Sequence, residues 1–501
     1  MTEKSQSALP SFSVVVLSHK RPHLLARVVW AISQLDYPNF EIVVVGDAPN
    51  IGAFGLPDFM AEQIKYVHYD EANICRSRNL ALEISSGEVI AFIDDDAVPE
   101  PDWLRQLARA FAFPDVGGVG GLVRAADGLR IEWKGGTFDR TGAETPIVVR
   151  DDIRVFDADS QVYGGEFVGT LGANSAFRRE AVLSVGGFDE SFHYYLDETD
   201  MMLRLAEAGW DCALVLTAEV HHLREENSVR DGSRTPRNFF EIAASKAYFC
   251  RRHMRDGDVT ACLDAFRDER IEELDPYIRS GLLRREDRKR LRQQVERGIA
   301  AGLARARTLP MTENFAENPF CRFCPPTDVP LSIAFATGWN PLQTREIRAL
   351  ARRLSARGMV VSYLSYMSGM HARRVSFADG VWMHSGGTWR TDHKVQNRTL
   401  IARKARARAE IERISARRKL DIVLSPMPVF GAGARKVRLP GTRWPLYADL
   451  TRREAMRLET SIQLIQDALQ SPEVLSNSHR ETPSLTEARP NAATDPSAIT
   501  S

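Results

Sequence analysis

Two groups of carboxylates are placed where they could do chemistry. Asp94, Asp95 and Asp96 follow the apolar run EVIAFI without a break. Adjacent carboxylates repel one another, and three of them at the end of a buried strand are costly unless a cation neutralises them. Mg2+ or Mn2+ is the natural partner, because such an ion held by one or two carboxylates keeps positions open for phosphate oxygens. The triplet therefore suits a nucleotide diphosphate. A solvated acidic turn ahead of a helix near Pro101 and Trp103 would use the same residues. The second group is Asp197, Glu198 and Asp200, crowded into the first turn of a helix expected over 196–208. Helix N-termini stabilise negative charge by ~0.3–1 kcal/mol, which would account for these acids without any chemistry. Yet one cluster fit for a metal and another fit for proton abstraction, on one unit, is a recurrent division of labour. His221 and His222 close the run CALVLTAEVHH, where a histidine is more often structural than a ligand.

The elements that must position these residues alternate strand and helix. Apolar, β-branched runs at 12–20 and 40–47 flank an amphipathic stretch over 24–35, a βαβ pattern that implies parallel strands covered by helices. A strand at 64–69 and a helix over 76–85 lead to a buried strand at 88–94. Sheets of this kind bind ligands beyond the carboxyl ends of their strands, where the triplet stands. From 230 to 307 the chain turns helical and highly charged. A second βαβ start follows, with a strand at 331–337, a helix over 343–357, a strand at 359–365 and a later one at 421–430. The expected division is a flexible start (1–10), a first α/β domain (11–228), a helical extension (229–328), a smaller Rossmann-like α/β module (329–450), a helix (451–470) and a disordered tail (471–501).

Composition excludes several classes. The chain has 501 residues, enough for two to four domains, and its 66 basic and 66 acidic side chains leave no net charge to favour nucleic acid. No apolar run approaches the roughly 18–20 residues that span a bilayer, and MTEKSQSALP lacks the apolar core of a signal peptide, so a cytoplasmic protein is expected. Six cysteines make no disulfide framework, and Cys321 and Cys324 read as a loop pair without further metal ligands. Between 398 and 419 nine Lys or Arg face two Glu on a helical pattern. A solvated helix face is expected there, with peripheral contact to anionic lipid at the inner face of the membrane as the alternative.

The segments SFSVVVLSHKRPHLLARVVWAI, EIVVVGDAPN, ANICRSRNLALEISSGEVIAFIDDDAVPEPDWL, GANSAFRREAVLSVGGFDE and LDETDMMLRLAEAGW, in that order, resemble the family 2 glycosyltransferases, whose fold is GT-A. The resemblance implies transfer of a sugar from a nucleotide-diphosphate donor, UDP- or dTDP-linked, to the hydroxyl of a glycan or lipid-linked acceptor, with inversion. It implies that Ser18, Arg21, Asp47, Arg78, Asp94 and Asp95 meet the donor nucleotide, and that Asp96 and His222 hold Mg2+ or Mn2+. It implies that Gly172, Asn174 and Asp200 line the sugars, and that Glu198 or Asp197 is the base. Ser77 replaces the Ala usual before Arg78, and the Asp197-Glu198 order is the reverse of the usual one. LSIAFATGWNPLQTREIRALARRLSARGMVVSYLS, with GVWMHSGG and DIVLSPMPVFGAG, resembles more weakly the acceptor lobe of GT-B glycosyltransferases. All candidate catalytic motifs precede residue 225, which predicts a first domain that acts without the second module. Two other readings stay open: a nucleotidyltransferase, whose Gly-rich phosphate loop LSHKRPHLL lacks, and an inert carbohydrate- or partner-binding scaffold.

Overall fold

The computed structural model describes residues 9–128, 130–308, 318–325, 331–337, 341–365, 374–385, 400–426, 434–440, 442–443, 445–450 and 458–470. The expected tail at 471–501, and residues 1–8 of the expected flexible start, lie outside the described residues.

The β-branched runs VVV at 14–16 and 43–45 are buried on both faces, as strands covered by helices on either side must be. They belong to one mixed sheet. Its strands run, edge to edge, Ile153–Phe156, Asp211–His222, Val116–Ala125, Ser175–Arg178, Val89–Asp94, Phe12–Ser18, Phe40–Gly46 and Ile64–His68. The last four are mutually parallel, so Ser18, Gly46 and Asp94 end at one edge of the sheet. Helices cover both faces. Leu25, Val28 and Val29 of the helix Pro22–Ile32 pack on one side with Trp103, and the helices Ile74–Ile84 and Asp197–Glu207 close the other around Phe92, Phe177 and Phe188. The helix expected at 76–85 begins two residues earlier because Asn73 caps it, its side chain accepting from the Arg76 amide.

Helices Phe240–His253, Val259–Glu272, Asp275–Arg279 and Arg285–Ala304 form the charged extension. The last lies close against the first, since a Cβ at Gly298 or Gly302 would stand 2.4 Å from the Phe240 carbonyl oxygen or 2.1 Å from that of Ala244. Residues 318–325 then return to the first domain. Phe323 stacks on Phe40 at 5.5 Å, the Cys321 amide donates to Glu41 and the Cys324 amide to Gln63, so the C-x-x-C segment is a clip on the sheet edge.

The second module is a seven-stranded sheet with four parallel strands at its centre: Val381–Ser385, Val360–Ser365, Ser332–Thr337 and Ile422–Ser425. Helices Pro341–Ser355, Leu400–Arg418 and Leu458–Gln470 flank it. It docks on the first domain through an apolar patch of Val375, Phe377 and Trp382 against Ala31 and Val98. Gln34 donates across the same seam to the Gly380 carbonyl at 2.5 Å. The basic helix is amphipathic: Ile411 and Ile414 are buried, Arg413 pairs with Glu410 on the outside, and Arg417 and Arg418 at its end turn toward the first domain. Among the described residues no helix is long and apolar enough to cross a membrane.

Candidate active site

The strand Val89–Asp94 delivers the triplet to the carboxyl edge, and a three-residue strand, Ala97–Pro99, carries the chain on. That short strand pairs antiparallel with the end of Asp211–His222, setting His222 opposite Ala97. The result brings Asp94, Asp96 and His222 together, with one ligand atom from each within 4.8 Å of the others. His222 Nε2 lies 3.2 Å from Asp96 Oδ1, and its Nδ1 lies 3.0 Å from Glu132 of the strand Ile131–Trp133. Burial alone would lower the His222 pKa, but the hydrogen bonds and charges of Asp96 and Glu132 raise it to about 9. Burial pushes Asp96 up, and His222 with Arg21 outweighs it, holding this carboxyl below the ordinary range. Asp94 goes the other way, raised by burial and by Asp96 beside it. Two carboxylates and an imidazole whose second nitrogen is oriented by a further carboxylate are a donor set that fits a hard divalent ion.

Asp95 faces inward. Ser18 Oγ donates to it at 2.9 Å and Arg21 Nη2 lies 2.6 Å away, yet burial still pushes its carboxyl up to about 7. Asp47 accepts from the Lys20 amide at 3.1 Å and so supports the left-handed Lys20 (φ 58°) that aims Arg21 at the triplet.

The acid pair is built by a second strained turn. Tyr195 and Leu196 both have positive φ, 75° and 64°, immediately before the helix Asp197–Glu207. Of the seven described non-glycine residues with positive φ, five (Lys20, Tyr195, Leu196, Arg224 and Arg234) border this site, the kind of clustering that strain shows at functional positions. Asp197 is buried and paired with Arg78 (Nε to Oδ2, 3.1 Å), whose guanidinium lies over the rings of Phe92 and Phe188. Glu198 reaches outward and accepts from the Gly172 amide at 3.0 Å. Burial and the adjacent Asp197 raise the Glu198 pKa well above the carboxylate range. Gly172 is where the two clusters meet: a Cβ there would lie 2.9 Å from Arg78 Nη2, 3.6 Å from Glu198 Oε1 and 3.8 Å from Asp94 Oδ1. Any side chain at this position would fill the space between the acids.

Three residues expected to meet the nucleotide or line the sugars are engaged by protein partners instead. Asn174 is fully buried; its Nδ2 donates to the Leu122 and Ala218 carbonyls and its Oδ1 accepts from Trp103 Nε1. Asp200 is fully buried and engaged by Arg204 of its own helix and by Arg252 and His253, the latter two tying the acid-bearing helix to the helical extension. Arg78, expected on the nucleotide, is sandwiched beneath the acid pair instead. Motif spacing orders these residues along the chain but says nothing of which face they present. Sequence reasoning also missed several groups. Glu132 orients His222, and Arg224, Arg230 and Arg234 gather on the loop beyond His222. Burial and repulsion from Arg224 and Arg230 lower the Arg234 pKa, while Tyr194 and Asp96 oppose that shift. No signal marked Glu132, which lies in a short edge strand; the loop arginines were visible only as part of a charged stretch.

An α/β domain with an acid-lined carboxyl edge and a separate acid pair at a helix N-terminus places its candidate site where open α/β sheets bind ligands. Residues 13–186, within the first domain, match the family described as Glycosyl transferase family 2. The chain is 27% identical over 235 residues to the O-antigen biosynthesis protein RfbC of Myxococcus xanthus, covering 45% of this chain and 18% of that protein. It is 29% identical over 208 residues to the glucosyl-dolichyl phosphate glucuronosyltransferase of Haloferax volcanii, covering 39% of this chain and 63% of that protein. The chain thus spans less than two thirds of the length of these two relatives. A mannosyltransferase structure from Pyrobaculum calidifontis, in complex with GDP-Man and Mn2+, is similar at a TM-score of 0.36 and 16% identity, over 60% of this chain and 88% of that one. A likeness of that size adds nothing to the argument from geometry.

Proposed function

We propose that the protein is an inverting, metal-dependent glycosyltransferase that moves a sugar from a nucleotide-diphosphate donor to a glycan or lipid-linked acceptor in polysaccharide or glycolipid biosynthesis. The observation that carries this reading is the convergence of the Asp94–Asp96–His222 trio and Glu198 on the space beside Gly172. Asp94, Asp96 and His222 would hold the divalent ion. When bound there, such an ion supplies charge stabilisation for a departing diphosphate. Arg224, Arg230 and Arg234, on the loop just past His222, face the same charge with cations of their own.

Glu198 takes the acceptor proton. It acts in its ionised form, and the Gly172 amide fixes the orientation of its carboxylate. The acceptor oxygen bonds to the anomeric carbon as the carbon–oxygen bond to the diphosphate breaks, with no covalent enzyme intermediate and therefore inversion. Asp197 is paired with Arg78 rather than facing the acceptor side. Tyr194 and Tyr195, 37% and 39% exposed just ahead of the acid pair, offer ring faces on which an acceptor sugar can stack. The names of the relatives, which include O-antigen and succinoglycan biosynthesis proteins, support a polysaccharide or lipid-linked product.

The test is turnover of a panel of UDP-, dTDP- and GDP-sugars by the full chain, with Mn2+, Mg2+ or EDTA. Release of nucleoside diphosphate from one donor class, abolished by EDTA and restored by Mn2+ or Mg2+, is the expected result. Metal-independent release, or binding without any release, would favour a different catalytic scheme or the scaffold reading.

A further inference from the structure

The seam between the first domain and the second module contains a buried charged network directly behind the metal-fitting trio. Arg418, at the end of the helix Leu400–Arg418, inserts its guanidinium into the first domain and grips Glu100 with two hydrogen bonds, Nε to Oε2 at 2.9 Å and Nη2 to Oε1 at 3.0 Å. Both side chains are almost completely buried, at 2% and 5% exposure. Glu100 Oε1 also lies 2.7 Å from His221 Nε2. The remaining Arg418 nitrogen, Nη1, bonds to Ser362 Oγ at 3.1 Å and His384 Nε2 at 2.7 Å, and its carbon centre stands 3.8 Å from the Trp382 ring centroid. Ser362, His384 and Trp382 all come from the second module, so that module holds the guanidinium on the side away from Glu100. The neighbouring Arg417 reaches Glu219, which Arg124 also binds.

What this network grips is the ladder that carries Asp96 and His222. Residues Ala97–Pro99 pair with Val220–His222 over three residues, bounded by the Leu223 amide donating to the Asp96 carbonyl at 2.8 Å and the Glu100 amide donating to the Glu219 carbonyl at 3.0 Å. Val220–His222 are also paired on their other side with Val123–Ala125, so it is the Ala97–Pro99 side, which carries Asp96, that hangs on this short ladder. Successive side chains on a strand point to opposite faces, so His221 turns toward Glu100 while His222 turns toward Asp96. Fixing His221 and Glu100 from behind fixes the pitch of His222 and Asp96 in front.

We infer that the second module completes the first domain's site: Arg418 is a positioning residue that acts through Glu100 and His221 to hold Asp96 and His222 at ligand spacing. This inference rests on the metal reading proposed above for what those ligands hold, but not for the mechanical link itself. It also runs against the expectation from motif order that the first domain acts without the second module.

The experiment compares the full chain with Arg418→Met, Arg418→Lys and Lys419→Ala. Lys419 makes the exposed pair with Asp36 across the same seam and serves as the control for loosening the seam without touching the network. Two quantities are read: the dissociation constant for Mn2+ alone, and hydrogen exchange of the segments 96–100 and 219–223. Arg418→Met is expected to weaken Mn2+ binding about tenfold or more, in the range seen when a group supporting metal ligands is lost, and to speed exchange in both segments. Arg418→Lys, which keeps the charge but loses the two-point grip, should fall between. Lys419→Ala should match wild type in both. If Arg418→Met folds and shows unchanged exchange and Mn2+ affinity within twofold of wild type, the inference is overturned. Should that variant fail to fold, Arg418→Lys decides on the same readouts. A wild-type chain that binds no Mn2+ would remove the metal reading, and the exchange data would still decide whether Arg418 holds the ladder.

Discussion

The two α/β modules share a grammar and differ in what they place at the edge of the sheet. The parallel strands of the first end at Ser18, Gly46 and Asp94, with Asp47, Asp95 and Asp96 directly beyond. The parallel strands of the second end at Thr337, Ser365, Ser385 and Ser425. One edge gathers carboxylates that repel unless a cation intervenes; among the described residues, the strands of the other end in Ser or Thr. The same strand–helix–strand pattern carries the candidate site in one case, while in the other an arginine pair at a helix end is directed into the neighbouring domain. The lesson is that the element pattern locates the edge, and the residue types at the strand ends decide whether chemistry happens there.

The sharpest way to break this comparison is to remove a carboxylate from the reactive edge. Asp96→Ala is expected to abolish metal-dependent donor binding while thermal unfolding stays cooperative; unchanged Mn2+ dependence of donor binding would mean that the trio is not the ion site. Next in size is Glu198→Gln, expected to slow single-turnover transfer by roughly 10²–10⁴-fold with little change in donor affinity. Asp197→Asn should lose less, because Asp197 faces Arg78 and Glu198 faces the open space; a larger loss in Asp197→Asn would move the base role to Asp197. Glu132→Gln leaves all three ligands in place and should weaken Mn2+ by about 10–100-fold through loss of His222 orientation, which a Mn2+ titration at fixed pH reads directly.

The smallest effect is one of pH. His222, with its pKa raised to about 9, is mostly protonated at neutral pH and must release its proton to become a ligand. Mn2+ affinity should therefore rise with pH up to about 9 and level off, with proton release on binding below that point. In the metal-free chain the sign is opposite: the raised pKa contributes stability that is fully present below pH ~6.5 and lost as pH rises through about 9. Glu132, held down to about 2, contributes stability above pH ~4.5 that is lost as pH falls toward its folded value. Calorimetric melting of the metal-free chain across this range checks both signs, and a flat profile would show that these pairs are not formed in solution.

Much of this site was legible in the sequence because its chemistry sits at strand ends and a helix start, which periodicity and punctuation mark well. The triplet after EVIAFI, the acids at the start of the helix near 197 and His222 at a strand exit were all visible as local patterns. What was not legible is direction. Asn174 and Asp200 look like site residues in a motif, yet each is saturated by internal partners that come from distant parts of the chain: Trp103, Leu122 and Ala218 in one case, Arg252 and His253 in the other. Glu100 and Arg418 lie 318 positions apart, and no local pattern pairs them. Such contacts follow from tertiary packing, and only the folded structure displays them.

The most direct test of the central claim is anomalous scattering from crystals of the full chain grown with Mn2+ and a nucleoside diphosphate. The geometry predicts one strong manganese peak within bonding distance of Asp94, Asp96 and His222, with diphosphate oxygens completing its coordination. A peak elsewhere, or diphosphate bound with no manganese between those three side chains, would contradict it.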